Sequence, residues 1–306
     1  MKQIITLGNP VYDLIEKPAA PANGRVLSGC STNSSIVFAH LGHQPVLVGR
    51  VGAADAQDLV ARLQAYGVTP HIEISTETAG FHLVYDEQGN RTLSLLGNAG
   101  AITLFPDGWP QAEAILIGPI FHETPPALIQ HIAEGTDAPL FLDPQGLLRR
   151  VTAAGVVEPI SYPEVADIFA LCHVVKVSED EAHILTGINP CQEPHAACAR
   201  LRSMGCPIAI ITLAEAGSII DDGTQQYLFP AFTVDACDLT GAGDTYMAGF
   251  MHAYLECPDD ILKAGATATA VASIWIEQHG PDVIVAQAEV ARRTEIVLQT
   301  YHAERT

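Results

Sequence analysis

DLTGAGDTYMAGF, Asp238–Phe250, is the stretch on which the fold turns. Directly after Asp244, the apolar residues Met247, Phe250, Met251, Tyr254 and Leu255 recur at i, i+3, i+4, i+7 and i+8, and Pro258 closes the run. That period is one stripe of an α-helix. Gly241, Ala242 and Gly243 therefore form the turn that opens it. A helix N-terminus carries N–H groups without intrahelical acceptors and a partial positive charge. Small residues let an anion approach that backbone, so the turn reads as an anion hole suited to phosphate. A carboxylate beside bound phosphate repels it. Asp244 therefore either caps the helix or serves as a general base for a hydroxyl attacking phosphorus.

Outward from this turn, apolar runs at 4–7, 46–49, 115–118, 140–143, 174–177 and 208–213 read as buried strands. Helix-like segments lie at 33–42, 55–66, 124–134, 179–186 and 193–204. Strands with little polar alternation suit a sheet covered on both faces. Their alternation with helices predicts an α/β fold around a mostly parallel, doubly wound sheet. Two regions, about 11–28 and 71–96, break the rhythm. In the second, FHLVY and RTLSL flank DEQGN, a hairpin with Gly89 in its turn. Together they predict a small antiparallel sheet projecting from the main body: a lid, a dimer interface, both, or plain decoration.

Composition narrows the classes. Charged residues are only 16% and hydrophobic ones 48%, so a packed core is expected. The net charge of −20 repels phosphate backbones and argues against nucleic acid; a phosphorylated ligand needs local donors or a divalent cation. No apolar run reaches a membrane-spanning length. MKQIITLGNP is too soon broken for a secretory signal and reads as a first strand, so a cytoplasmic protein is expected. Seven cysteines without a CxxC fit reduced thiols. If a helix starts near Pro190, Cys191, His195 and Cys198 share one face, as zinc ligands or as an ordinary buried stripe. There is no GxxxxGK and no GxGxxG behind the first strand, so neither a P-loop nor a dinucleotide fold is supported.

DLTGAGDTYMAGF resembles the C-terminal signature of the pfkB carbohydrate kinase family, the ribokinase-like kinases, usually D-x-T-G-A-G-D followed by a helix. Companions occur in order along nearly the whole chain. GNPVYDLI resembles the first strand with its substrate-binding Asp, here Asp13. SGCSTNSSIVFAHLG resembles the G-G-x-x-x-N segment, with Gly29 and Asn33. VKVSEDEAHILTG resembles the N-x-x-E region, with Ser178 and Glu181. IITLAEAGSII resembles the T-x-G-x-x-G strand and loop, with Thr212 and Gly217. The resemblance implies one ribokinase-like kinase domain over 1–306, a three-layer sandwich with a small β-sheet lid. It implies transfer of the ATP γ-phosphoryl group to a hydroxyl, with Mg²⁺. Asp244 would be the base, and the Gly241, Ala242 and Gly243 amides would hold developing charge. Asp13, Gly29, Asn33 and Arg149 would meet the substrate, and Ser178, Thr212 and Gly217 the nucleotide. Glu181 would organise Mg²⁺ through water. Asp238 and Thr240 would lie near a monovalent cation, potassium, unless Asp238 simply fixes the turn. Asp13 can also be a strand-end turn residue and Asn33 a helix N-cap.

Three positions depart from the family pattern: Ser28 for a hinge glycine, Ser178 for the asparagine, and Ala214 for the first glycine of T-x-G-x-x-G. FLDPQGLLR, with Gln145, Gly146 and Arg149, looks closer to inositol-kinase-like branches than to typical ribokinases. Arg149 would bind an acidic or phosphorylated group or stay a surface residue. The implied acceptors are sugars, sugar acids and cyclic polyols. A nucleoside kinase of the same fold and a non-catalytic regulatory homologue are the alternatives. A homodimer through the lid is expected from its exposed strand edges.

Overall fold

The computed structural model describes residues 1–16, 24–87, 91–162 and 164–303. Its centre is a nine-stranded sheet. From one edge to the other the order is β15 (Gln226–Phe229), β14 (Ser218–Asp221), β13 (Ile208–Thr212), β12 (Val174–Ser178), β9 (Leu140–Leu142), β8 (Ala114–Ile117), β1 (Gln3–Leu7), β4 (Gln44–Gly52) and β5 (Thr69–Ser75). Neighbours from β13 to β5 are parallel, and β14 and β15 add an antiparallel edge.

Alternate residues of these strands feed two separate cores, as a pleat of period two demands. Ile4, Leu116, Phe141, Val174 and Ile210 pack with α1 (Cys30–His40), α2 (Ala56–Ala65), α7 (Ala242–Glu256), α8 (Ile261–Ile276) and α9 (Gln287–Ala303). Ile5, Ile117, Leu142, Val175 and Ile211 pack with α3 (Pro126–Gly135), α4 (Val165–Phe169), α5 (Glu179–Thr186) and α6 (Pro194–Arg202). This is the expected three-layer doubly wound architecture.

The lid is a four-stranded sheet of order β3 (Arg25–Ser28), β2 (Val11–Glu16), β6 (Gly80–Tyr85) and β7 (Arg91–Gly97). Two expectations need correction. The lid is mixed, because β2 and β6 run parallel; the chain passes through β4 and β5 between them, and a long crossover permits parallel pairing. Residues 71–75 belong to β5 in the main sheet. The turn at Gly89 lies outside the described residues. A ribbon of β10 (Arg149–Val151) and β11 (Val157–Pro159) flanks the lid, where Leu95 N–H donates to Gly155 O at 3.0 Å and Ser94 bridges Val156. The β7 edge is thus partly covered, against the expectation of open edges.

Two helix readings also shift. Residues Thr245–Met251 of α7 are all buried, so its middle has no solvent face; α7 is sandwiched against α1 and α8. The helix α6 begins at Pro194, leaving Cys191 outside it and exposed, while Cys198 is buried and His195 Nδ1 meets Gln226 Oε1 at 2.6 Å. The three residues form no zinc cluster.

Candidate active site

One cavity of about 790 Å³ runs between the lid and the C-terminal ends of the parallel strands. Asp244 lies in its floor. Gly241 is the N-cap of α7 with φ +83°, and a Cβ there would fall 2.7 Å from Asn33 Nδ2, so the position requires glycine. Trp275 Nε1 donates to Thr240 O at 2.8 Å and pins the entrance. Ala242 N–H turns back to Leu239 O at 3.2 Å. Of the Gly241, Ala242 and Gly243 amides that the resemblance offers to developing charge, that of Ala242 is engaged within the turn. Gly243 N–H, at the second helical position, has no intrahelical acceptor by construction.

Asp244 is the third residue of α7. Asn33 Nδ2 donates to its Oδ2 at 2.8 Å, and Gln145 Nε2 reaches its Oδ1 at a long 3.4 Å. Removal from water raises its pKa first, and the nearby Asp143 carboxylate adds to the rise; Lys176 and Asn33 oppose it. Asn33 itself is the fourth residue of α1, fully buried behind Asp244 and outside the cavity wall. It is not the N-cap; Gly29 is. Its amide addresses Asp244 rather than the cavity space.

The acceptor side is built on the lid. Asp13 in β2 is buried, and Phe81 N–H donates to its Oδ1 at 2.8 Å, tying β2 to β6 over the cavity. Ser28 and Gly29 line the wall beside it, and Ser28 ends β3 in ordinary strand conformation, so serine is accommodated there without strain. Arg149 Nη1 donates to Ile120 O and Nη2 to Gln145 Oε1, both at 2.8 Å, and the guanidinium lies 5.3 Å from the Phe81 ring centre. Arg149 is therefore a cavity residue and not a bare surface one. Gln145, which connects it to Asp244, sits at the 3-10 turn after β9.

At the other end lie Thr212, Ala214, Glu215, Gly217 and Ser218. Gly217 has φ +98°, and a Cβ would sit 1.9 Å from Phe229 O. Ala214, where glycine is expected, is held at φ +47°, a left-handed conformation that strains an alanine. Ser178 Oγ caps α5 by accepting from Glu181 N–H at 3.3 Å, and Glu181 Oε2 accepts from Ser178 N–H at 2.8 Å. Ser178 and Glu181 are thus partners of each other. Burial and Asp143 raise the Glu181 pKa, while Lys176 and Ser178 N–H lower it. Asp238 Oδ1 accepts from Thr240 N–H at 3.0 Å, which fixes the turn; Thr240 Oγ1 is buried and finds no partner among the described residues.

Sequence reasoning missed Lys176 and Asp143. Lys176 Nζ meets Asp143 Oδ2 at 2.5 Å, with both side chains almost wholly buried. Burial works against the ammonium, but Asp143, Asp244 and Glu181 outweigh it and raise its pKa. Cys30 Sγ lies 3.8 Å from Asp143 Oδ2. Cys30, Asp143 and Asp244 bring ligand atoms within 4.8 Å of one another, yet the ammonium already takes the cation's place at Asp143. Within VVKV, Lys176 hid in a strand otherwise apolar.

The family model described as pfkB family carbohydrate kinase matches residues 127–287, more than half of the chain. The chain belongs to this family. Among pfkB relatives, Bacillus subtilis ribokinase is 25% identical over 315 residues, covering 97% of this chain and 98% of that one. Aminoimidazole riboside kinase of Salmonella typhimurium is 37% identical over 103 residues, 33% of this chain; the match spans about a third of that enzyme, 31%. A sulfate complex of a pyrophosphate-dependent kinase in the ribokinase family superposes with a TM-score of 0.80 at 24% identity, over 95% of this chain and 99% of that one. That likeness establishes the ribokinase-like fold.

Proposed function

We propose that the chain is an ATP-dependent kinase that phosphorylates a hydroxyl of a sugar, sugar acid or cyclic polyol. The observation that carries this reading is Asp244 at the mouth of α7, lining the cavity, with Oδ2 anchored by Asn33 and Oδ1 in a long 3.4 Å contact with Gln145. An acceptor hydroxyl can displace that contact and give its proton to Oδ1. Burial and the Asp143 carboxylate raise the Asp244 pKa, which makes its carboxylate a stronger base. The Gly243 amide and the positive end of α7 would then stabilise charge on the transferring group. Asp13, oriented by Phe81 N–H, would hold a neighbouring hydroxyl and couple lid position to acceptor fit.

Phe232, Val234, Ala236, Leu239, Ala272 and Ile276 give the far end of the cavity an apolar lining that suits a purine ring, which favours ATP. Thr212, Ser178 and Gly217 line the same cavity and would meet the nucleotide phosphates. Glu179, Asp180 and Glu181 supply hard carboxylate oxygens of the kind Mg²⁺ takes, mostly through water. Bound there, Mg²⁺ would neutralise phosphate charge. A potassium site at Asp238 and Thr240 is supported by the partnerless Thr240 Oγ1 and opposed by the commitment of Thr240 O to Trp275. Arg149 lines the cavity with Nη1 and Nη2 each donating one bond internally, and its guanidinium charge remains for an acidic acceptor. A lid homodimer would have to use the short β3 edge or the outer lid face, since β7 is bridged. Among the described residues no helix is long and apolar enough to cross a membrane.

The test is ADP or phosphate release across a panel of sugars, inositols, sugar acids and nucleosides, each with Mg·ATP and with pyrophosphate. Turnover with ATP and a neutral polyol supports the reading. Turnover with nucleosides alone replaces it by the nucleoside-kinase alternative. Silence throughout, with an acceptor still raising the melting temperature, favours a regulatory homologue.

A further inference from the structure

The cluster under the turn carries an imbalance. Asp143, Asp244 and Glu181 surround a single ammonium, that of Lys176. The protein as a whole carries −20, so a polyphosphate meets repulsion both at long range and on arrival. Among the described residues lining the cavity, the side-chain cations are Lys176 and Arg149. Arg149 sits on the acceptor side with its guanidinium committed to Ile120 O and Gln145 Oε1. Lys176 is different. It rises from the centre of β12, on the face that packs against α7. A Cβ built on Gly243 would fall 2.9 Å from its Nζ. The ammonium thus lies against the very turn that lines the cavity, and glycine at 243 leaves it that space. Burying a lysine in a sheet is unfavourable unless its charge is matched. Asp143 alone would match it; contact with the turn is extra.

We infer that Lys176 is a further catalytic residue, whose ammonium contacts the phosphoryl group as it crosses from donor to acceptor above Gly243. This rests on the kinase reading above. In the step, the acceptor O–H proton passes to Asp244 Oδ1 and the acceptor oxygen forms a bond to the γ-phosphorus. The bond from that phosphorus to the bridging oxygen breaks, and ADP leaves with the electron pair. Lys176 gives up no proton. It stays an ammonium, shared between Asp143 Oδ2 and the equatorial phosphoryl oxygens, and Asp143 fixes where it can reach. A fixed cation in a site closed from bulk water stabilises developing charge without reorganising.

The competing account is that Lys176 only neutralises Asp143 to hold β9 against β12. Calorimetric titration with the imido analogue of ATP and with ADP, both with Mg²⁺, separates the two. Lys176→Met is expected to weaken the imido analogue at least tenfold while leaving ADP within about twofold, because only the transferred group faces the ammonium. In turnover, kcat is expected to fall by about 10²–10³-fold, as for loss of one oxyanion donor. Equal weakening of both nucleotides overturns the inference. If K176M does not fold, the pair-free variant D143N/K176M carries the test: wild-type affinity for the imido analogue there overturns it. Wild-type protein that binds neither nucleotide sinks the ATP reading instead. Inorganic pyrophosphate with Mg²⁺ then serves as the probe, and equal affinity in wild type and K176M overturns the role of Lys176.

Discussion

Asn33 and Asp244, 211 residues apart in sequence, meet through a 2.8 Å hydrogen bond from Nδ2 to Oδ2. The bond engages one carboxylate oxygen of Asp244, a residue that lines the cavity. It ties the start of α1 to the start of α7, so lid-side and nucleotide-side elements share one anchor. Asp244→Asn is expected to lower kcat by about 10²–10⁴-fold with acceptor binding retained. Asn33→Ala is expected to cost about 10–100-fold in kcat through misplacement of the base. Steady-state kinetics with acceptor-induced thermal shifts check both; near-normal kcat in D244N would remove Asp244 from its role.

Glu181 has one oxygen bound to the Ser178 amide and lies beside Asp143 and Lys176. Glu181→Gln keeps the shape but drops the charge. The Mg²⁺ concentration for half-maximal rate is expected to rise about tenfold. Ser178→Ala removes the cap and is expected to lower stability by about 1 kcal/mol. A Mg²⁺ titration unchanged in E181Q would place the metal elsewhere.

Ala214 and Gly217 share one tight loop and predict opposite signs. Ala214→Gly relieves a left-handed alanine at φ +47°. After allowance for the looser unfolded chain, a gain of about 0.5–1 kcal/mol is expected. Gly217→Ala adds a methyl 1.9 Å from Phe229 O at φ +98° and is expected to destabilise by about 3 kcal/mol. Urea unfolding of the two variants decides; a destabilised A214G would show that the loop does not strain the alanine.

His43 Nε2 and His252 Nδ1 lie 2.8 Å apart, joining the α1–β4 loop to α7. Burial first, then the charge of His252, lowers the His43 pKa to about 4. The folded protein therefore takes up its proton later than the unfolded chain, whose imidazole titrates near 6.5. The stability His43 contributes is complete above about pH 6.5 and is lost as pH falls toward 4. Melting temperatures from pH 7.5 to 4 are expected to drop through this window, and less steeply in His43→Gln. Parallel slopes for the two proteins would assign the acid sensitivity to other groups.

The sequence by itself determined the α/β class, the alternation of six main strands with helices along the chain, the glycine turn before α7, and the family. Those signals are local: a period of two or 3.6, a breaker, a short motif. Gly241 and Asp244 are legible because adjacency on the chain makes them adjacent in space. Only the tertiary structure decided what surrounds them. The lid pairs β2 with β6 in parallel because the intervening strands return the chain across the main sheet, which no local pattern encodes. Asn33 faces Asp244 rather than the cavity because α1 and α7 pack side by side. Lys176, four per cent exposed in an apolar strand, takes its meaning from Asp143, Asp244 and Glu181, which the ends of separate strands and helices bring around it. A buried charge is defined by its neighbours, and these come from the fold.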